Sequence, residues 1–523
     1  MRGAIAAGHP LTAEVGADVL REGGNAADAC VAAAFASWVA ESPLTGPGAG
    51  GFLLVHRARD RSERLLDFFA AVPGRGRPGG AVGEMEEVDV EFDRDTSQVF
   101  RIGAASCAVP GAIAGLEAAH RAYCTLPWRR LIEPAVAAAR QGFQLTRPQA
   151  YLHAILDLIL RHTDAGRQIY GPSGTRLVAG DRIVMEDLAS TLERLADEGA
   201  EAFYRGELGR RVVDHVQAEG GALTREDLRE YRVISRRPIR VAFDGHEFVS
   251  NPPPSSGGIL IGYALLLLAR LGVAGPAGSA EAIAQLAEVM REQTRARGGS
   301  FAGDLYRGGL GRRLYAEPNV AAAVERLRAS EAGRREPAGV SGTTHISVVD
   351  ADGNGASLTA SNGSGSGTIV PGTGIHLNNM LGEYDLNPVR REDRRTLSGK
   401  RLTSMMAPSL VLEGERPRLV VGSAGSVRLR GAILQIVLNV AAHGMSVDEA
   451  IEHPRVHLEE PHVHCEGGSE PAELDRLEAW GYELVRWRRR NLYFGGASAV
   501  EFRADGALSA AGDPRRGGHG IVV

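Results

Sequence analysis

Cysteine is scarce in this 523-residue chain, which has four (Cys30, Cys107, Cys124 and Cys465). They lie far apart with no Cys-x-x-Cys pair, so neither a disulfide framework nor a zinc knuckle is implied. Aromatic residues make up only 5%. Long apolar runs are also missing. The longest, Cys30 to Ala40 and Ile259 to Ala269, are too short to span a bilayer and read as buried helices. Met1-Arg2-Gly3-Ala4 runs into Gly8-His9-Pro10 without the apolar core of a signal peptide, so a cytoplasmic protein is expected. Neither charge sign dominates: 59 basic against 64 acidic side chains give a net charge of −5, with nothing that calls for nucleic acid or a membrane surface. No Gly-x-Ser-x-Gly elbow, Walker loop or His-Glu-x-x-His occurs, which removes the commonest hydrolase signatures.

What is present is an ordinary globular composition, 44% apolar and 24% charged, long enough for two or more domains or one large layered domain. Asn25 is a good N-cap for an Ala-rich buried helix over Ala26–Ala40. Gly46, Gly48 and Gly51 satisfy Gly-x-Gly-x-x-Gly, but the motif follows a helix and opens the strand Phe52–Val55, the reverse of a dinucleotide site. A glycine loop brought against other backbone is expected instead. Leu65–Phe69 reads as the next strand and residues 75–100 as an exposed charged loop. A helical half follows: Ala112–Tyr123, Leu131–Gln141, Gln149–Arg161, Met185–Glu198, Ala202–Val216, and a short helix capped by Thr224 with Asp227. Strands are expected at Ile239–Ala242 and His246–Val249, before a proline turn (Pro252–Pro254) and an apolar helix from Ile259. Ala329 to Gly342 reads as a flexible connector.

Gly342-Thr343-Thr344-His345 then opens an alternating run (Ile346, Val348) closed by Asp352-Gly353-Asn354, a strand and hairpin turn. If the chain is cut before Thr343, that residue gains an α-amine that can serve as base for its own hydroxyl. The amine suits the task because its unperturbed pKa is about 7.7–8.0. Beyond it lie Gly355–Ala360, the Ser361–Gly367 loop, the strand pair Pro408–Leu412 and Arg418–Val421, and Gly422–Ser426 opening a helix to about His443. Such a turn can offer backbone N–H groups to an oxyanion, and it equally reads as a tight strand-to-helix connection. His462, His464 and Cys465, with His453 and His457 nearby, could be read as a metal set, but alternation around Val463 makes a plain strand the better reading. No metal or cofactor is expected.

Gly23–Ala29, Val109-Pro110-Gly111, Leu126-Pro127-Trp128 with Glu133-Pro134-Ala135, Pro252–Gly258, Thr343-Thr344-His345, Val370–Ile375 with Leu377-Asn378-Asn379, and Asp513-Pro514-Arg515 together resemble, in order and nearly end to end, the γ-glutamyltransferase family of N-terminal-nucleophile hydrolases. The resemblance implies an α+β fold, a four-layer αββα sandwich. It implies autocatalytic cleavage between Gly342 and Thr343 into a large subunit (1–342) and a small one (343–523) that stay together as one unit. Thr343 would attack an acyl carbon, and the acyl-enzyme would pass to water or an amine acceptor; the substrate is a small γ-glutamyl or related amide. By the same resemblance Ser361 orients the nucleophile, Asn362 matches a nearby asparagine, Gly425 and Ser426 supply oxyanion amides, and Thr403 and Ser404 help hold the donor.

Two departures concern the donor pocket. Where the family carries an arginine for the substrate α-carboxylate, the chain has Phe69, within Asp67-Phe68-Phe69-Ala70. Losing such a charge-assisted contact costs about 1.5–3 kcal/mol in a buried site. The aspartate for the α-amine becomes Glu383, and a nearby glutamine becomes Met380. Arg75, Arg77 and Arg428 are the candidates for a replacement clamp. Other amides, or the C–C bond of an activated ketone, are therefore alternative substrates, and a silent binding protein on the same fold is the alternative class.

Overall fold

The computed structural model describes residues 2–77, 82–93, 96–329, 342–384, 397–503 and 505–523. Two antiparallel sheets pack face to face. The first runs His519–Val522, Gly3–Ala7, Thr344–Asp350, Gly355–Ser361, Gly50–Arg57, Ser62–Phe68, Ile234–Arg236. The second runs Leu508–Gly512, Gly496–Phe502, Arg416–Ala424, Ser409–Glu413, His246–Ser250, Ile239–Phe243. Strands from both sides of Thr343 contribute to each sheet, interleaved in the first and side by side in the second, so the two expected subunits share one framework.

Alternation along the strands sends neighbouring side chains to opposite layers. Leu53, Leu66, Ile346, Val348 and Leu358 join a core beneath the helices Pro10–Arg21, Ala26–Ala40 and Ala112–Tyr123. Phe52, Leu54, Leu65 and Val349 instead join the core shared with Leu410, Val420 and Val500 of the second sheet. That sheet's other face is covered by the apolar helices Gly257–Leu271 and Leu429–Ala441. The outcome is the α+β, four-layer αββα arrangement. Asn25 caps its helix as expected, accepting from Ala27 N and Asp28 N while Asp28 closes a capping box. Thr224 and Asp227 form another.

Several expectations are corrected. Residues 75–100 are not all loop: Glu86–Asp93 and Thr96–Ile102 pair as a hairpin. Val88, Val90, Phe100 and Ile102 are buried, but interleaved acidic residues mask the alternation in the sequence. The helix expected over Gln149–Arg161 is two, Arg147–Ile155 and Asp157–Leu160, interrupted at Leu156. Ala202–Val216 is likewise split, into Glu201–Tyr204 and Glu207–Ala218, with Gly206 between them. Three helices occupy 301–328, ending with Glu317–Arg328. Of the connector expected over Ala329–Gly342, positions 330–341 lie outside the described residues.

The glycine loop behaves as expected. A Cβ on Gly48 would lie 2.4 Å from the His376 carbonyl oxygen, so the loop packs backbone to backbone. Asn378 stitches it in place, donating to Gly48 O (2.8 Å) and Ala108 O (3.1 Å) and accepting from Ala108 N (3.0 Å).

Candidate active site

Thr343 stands immediately before the Thr344–Asp350 strand, 3% exposed, and Ser361 ends the neighbouring strand. The register Thr344↔Ala360, extended by one residue, sets Thr343 beside Ser361. Thr343 Oγ1 donates to Ser361 Oγ at 3.4 Å. Ser361 Oγ donates in turn to the Gly342 carbonyl oxygen and accepts from Gly363 N at 2.8 Å. One hydroxyl therefore links the candidate nucleophile to the carbonyl of the bond expected to break.

The loop after Ser361 is fixed by Asn379, whose Oδ1 accepts from Ser364 N (2.9 Å) and whose Nδ2 donates to Ser364 Oγ (2.7 Å). Gly363 has φ +70°, and a Cβ there would lie 2.0 Å from Asn379 Oδ1 and 2.9 Å from Glu383 Oε1. Glu383 is thus brought to this turn. Asn362 is fully buried, and neither its Oδ1 nor its Nδ2 has a hydrogen-bond partner among the described residues. Buried amides are rarely left so, and a ligand is one way to satisfy one.

Gly425 (φ +126°) and Ser426 (φ +55°) follow the Arg416–Ala424 strand. A left-handed serine costs about 1–3 kcal/mol, a strain typical of functional turns. Thr403 and Ser404 are buried and clasped from the proline turn: Ser404 O accepts from Ser256 N (2.7 Å) and from the Ser255 and Ser256 hydroxyls (3.1 and 3.0 Å).

Phe69 lies in the inter-sheet core, 2% exposed, stacked on Phe52 with centroids 5.4 Å apart. Met380 is buried in the same core. Asp67, beside Phe69, is bound by Arg236 (2.7 Å) and Arg401 (3.1 Å). Arg75 lies against Gly399 in a separate cleft of about 800 Å³ that Tyr306 and Arg401 also line. Arg77 Nη1 donates to Gly221 O at 3.2 Å. Arg428 follows the Gly425 turn but is buried with its guanidinium 4.3 Å above the Tyr493 ring. The guanidinium that reaches the candidate nucleophile is Arg516, whose Nη1 stands 3.5 Å from the Thr343 carbonyl oxygen.

Sequence reasoning missed Arg516 and Glu41. Glu41, at the end of the Ala26–Ala40 helix, accepts from Thr344 Oγ1 and from Thr12 Oγ1 (2.9 Å). Burial pushes its carboxyl up to about 7, opposed by those hydrogen bonds. His345 is no base for Thr343: it bonds Thr359 Oγ1 (2.8 Å) and Ser347 Oγ (2.9 Å) under Gly422, and burial lowers it to about 3. His462 and His464 lie on the strand His462–Cys465, and no group of three metal-ligating side chains occurs among the described residues. No helix there is long and apolar enough to cross a membrane.

A sandwich of two facing sheets between helices, with a buried threonine at a strand start beside a serine and a glycine turn, defines the N-terminal-nucleophile class of hydrolase folds. The γ-glutamyltranspeptidase family model matches residues 12–523, and the chain belongs to that family of hydrolases and acyltransferases. It is similar to the acylase ACY 1 proenzyme of Pseudomonas sp. (strain SE83), 34% identical over 100% of this chain and 94% of that one. It is also similar to the glutathione hydrolase proenzyme of Escherichia coli (strain K12), 30% identical over 98% and 90%. Among solved structures, cephalosporin acylase from Bacillus halodurans superposes with a TM-score of 0.84 over 99% of this chain and 95% of that one, at 24% identity, a likeness of fold.

Proposed function

We propose that the chain cleaves itself between Gly342 and Thr343 and then works as a threonine-nucleophile amide hydrolase or acyltransferase. The observation that carries this is the Ser361 hydroxyl, bonded to both Thr343 Oγ1 and Gly342 O. In maturation, Thr343 Oγ bonds to the Gly342 carbonyl carbon as the C–N bond breaks, and the hydroxyl proton ends on the released amine. Water then cleaves the ester, leaving a Gly342 carboxylate and a free Thr343. In turnover the same oxygen takes the acyl group of an amide, with its own amine as proton carrier and the amides at Gly425 and Ser426 facing the oxyanion. Residues 1–342 and 343–523 remain associated because each supplies strands to both sheets.

The donor is an acyl amide that needs no arginine clamp at position 69. Phe69 on Phe52 supports this reading, as does the likeness to an acylase proenzyme. The unpartnered Asn362 amide and Glu383 are the polar groups offered to the donor, with Thr403 and Ser404. Comparing p-nitroanilides of γ-glutamyl, butyryl and phenylacetyl groups tests it: faster turnover of the simple acyl anilides is expected, and a strong preference for γ-glutamyl contradicts it.

A further inference from the structure

We propose that Arg516 is a positioning residue for this reaction: its guanidinium, set against the Thr343 carbonyl, keeps the α-amine released by cleavage in its neutral, proton-accepting form. The inference rests on Thr343 being the processed nucleophile.

The Arg516 side chain is laid down by two glycines. A Cβ on Gly496 would strike its Cδ at 2.3 Å, and a Cβ on Gly425 would lie 3.9 Å from its Nη2. The guanidinium thereby lies between the candidate oxyanion turn and the Thr343 carbonyl oxygen, 3.5 Å from Nη1. Its Nε has no hydrogen-bond partner, and no carboxylate lies within ion-pair distance of it among the described residues. The amine nitrogen and carbonyl oxygen of one residue are at most about 4 Å apart, so the cation stands within roughly 7 Å of the future amine. A like charge at that range disfavours the ammonium form and lowers its pKa.

The other charged groups around Thr343 do not offset this cation. His9, His153 and His345, from the three segments packed on this side, are lowered by burial to about 4, 4 and 3, and are neutral at working pH. Asp513 is occupied by Arg455 (2.7 Å) and Arg515 (3.1 Å), and Arg515 also by Glu466. Arg428 sits on Tyr493. Glu383 is at the Gly363 turn, where it is offered to the donor. Glu41 remains, lining the same cavity as Thr343 and Arg516, and its burial keeps it largely protonated below pH 7. Below that pH the carboxylate that still acts on Arg516 is Asp513, which Arg455 and Arg515 already hold. As Glu41 ionises it stabilises the ammonium form, so the two groups pull the amine in opposite directions.

The test is the pH dependence of kcat for the matured enzyme, on whichever of the three anilides the wild type turns over fastest. Arg516→Gln is expected to move the acid limb up by about one pH unit, with rate recovered at high pH. Arg516→Lys should stay close to wild type, and Glu41→Gln should move the limb down. A second readout needs no substrate: the pH dependence of acetic anhydride labelling of the Thr343 amine, followed by mass spectrometry. Background is low, since Lys400 is the single lysine.

An unmoved limb with a rate lowered at every pH would overturn the proposal. So would a KM rise confined to the carboxylate-bearing γ-glutamyl donor, which would make Arg516 a substrate clamp. If Arg516→Gln does not mature, Glu41→Gln decides alone, an unmoved limb counting against. A wild type with no fragment starting at Thr343 is a different result: it defeats the nucleophile assignment itself.

Discussion

Ser361 Oγ lies 3.4 Å from Thr343 Oγ1 and hydrogen-bonds the carbonyl oxygen of Gly342, so one serine touches both the proposed nucleophile and the carbonyl of the proposed cleavage site. The contact follows from antiparallel register, because the strand that ends at Ser361 runs beside the strand that Thr343 begins. Gly363 N donates to the same oxygen and orients its hydroxyl proton toward Gly342.

Ser361→Ala should therefore slow maturation by roughly 10²-fold, the usual effect of removing one polarising donor. The rate at which the small fragment appears measures this. The fold should persist, since the strand backbone is unaffected. Processing at the wild-type rate would contradict the role.

Restoring the family's arginine should fail. Phe69→Arg puts a guanidinium where Phe52 now stacks, in the core between the sheets. An unpaired buried charge costs several kcal/mol, so the variant should melt well below wild type and gain no γ-glutamyl preference. Thermal unfolding and the anilide panel read the two effects. A stable, γ-glutamyl-selective variant would show that the pocket needs only that one residue.

Gly363→Ala tests how tightly the loop after Ser361 is held. With φ at +70° and Asn379 Oδ1 2.0 Å from the added methyl carbon, about 1–3 kcal/mol of destabilisation is expected. Activity should fall further than stability explains, since Ser361 and Glu383 both adjoin this turn.

Glu41 should make stability depend on pH. Its folded pKa, about 7, is above the ordinary glutamate value near 4.3. Between those values the folded chain binds more protons than the unfolded one, so this group's contribution falls as pH rises through the window. Glu41→Gln should overtake wild type in stability above pH 7, by about 4 kcal/mol at most. Urea melts at pH 5 and pH 8 give the comparison.

Much of this was legible in the sequence because short-range rules governed it. Asn25, Thr224 and the Thr344–Asp350 strand follow from caps and alternation, and the ordered motifs pointed to the family. The hairpin over Glu86–Ile102 escaped because charged residues on its outer face dilute the apolar period. The surroundings of Thr343 escaped for a different reason. Glu41 is some 300 positions away along the chain and Arg516 some 170, and only the sheet order brings Arg516 to Thr343 and Glu41 to its neighbour Thr344. Position 69 showed what the pocket lacks, but only packing shows that its ring belongs to the core.

The most direct test of the central claim is the intact mass of the purified chain with N-terminal sequencing of its products, wild type beside Thr343→Ala. The account predicts two wild-type fragments, the smaller beginning at Thr343, and a single uncut chain for the variant. An uncut wild type, or a variant cut at the same bond, would contradict it.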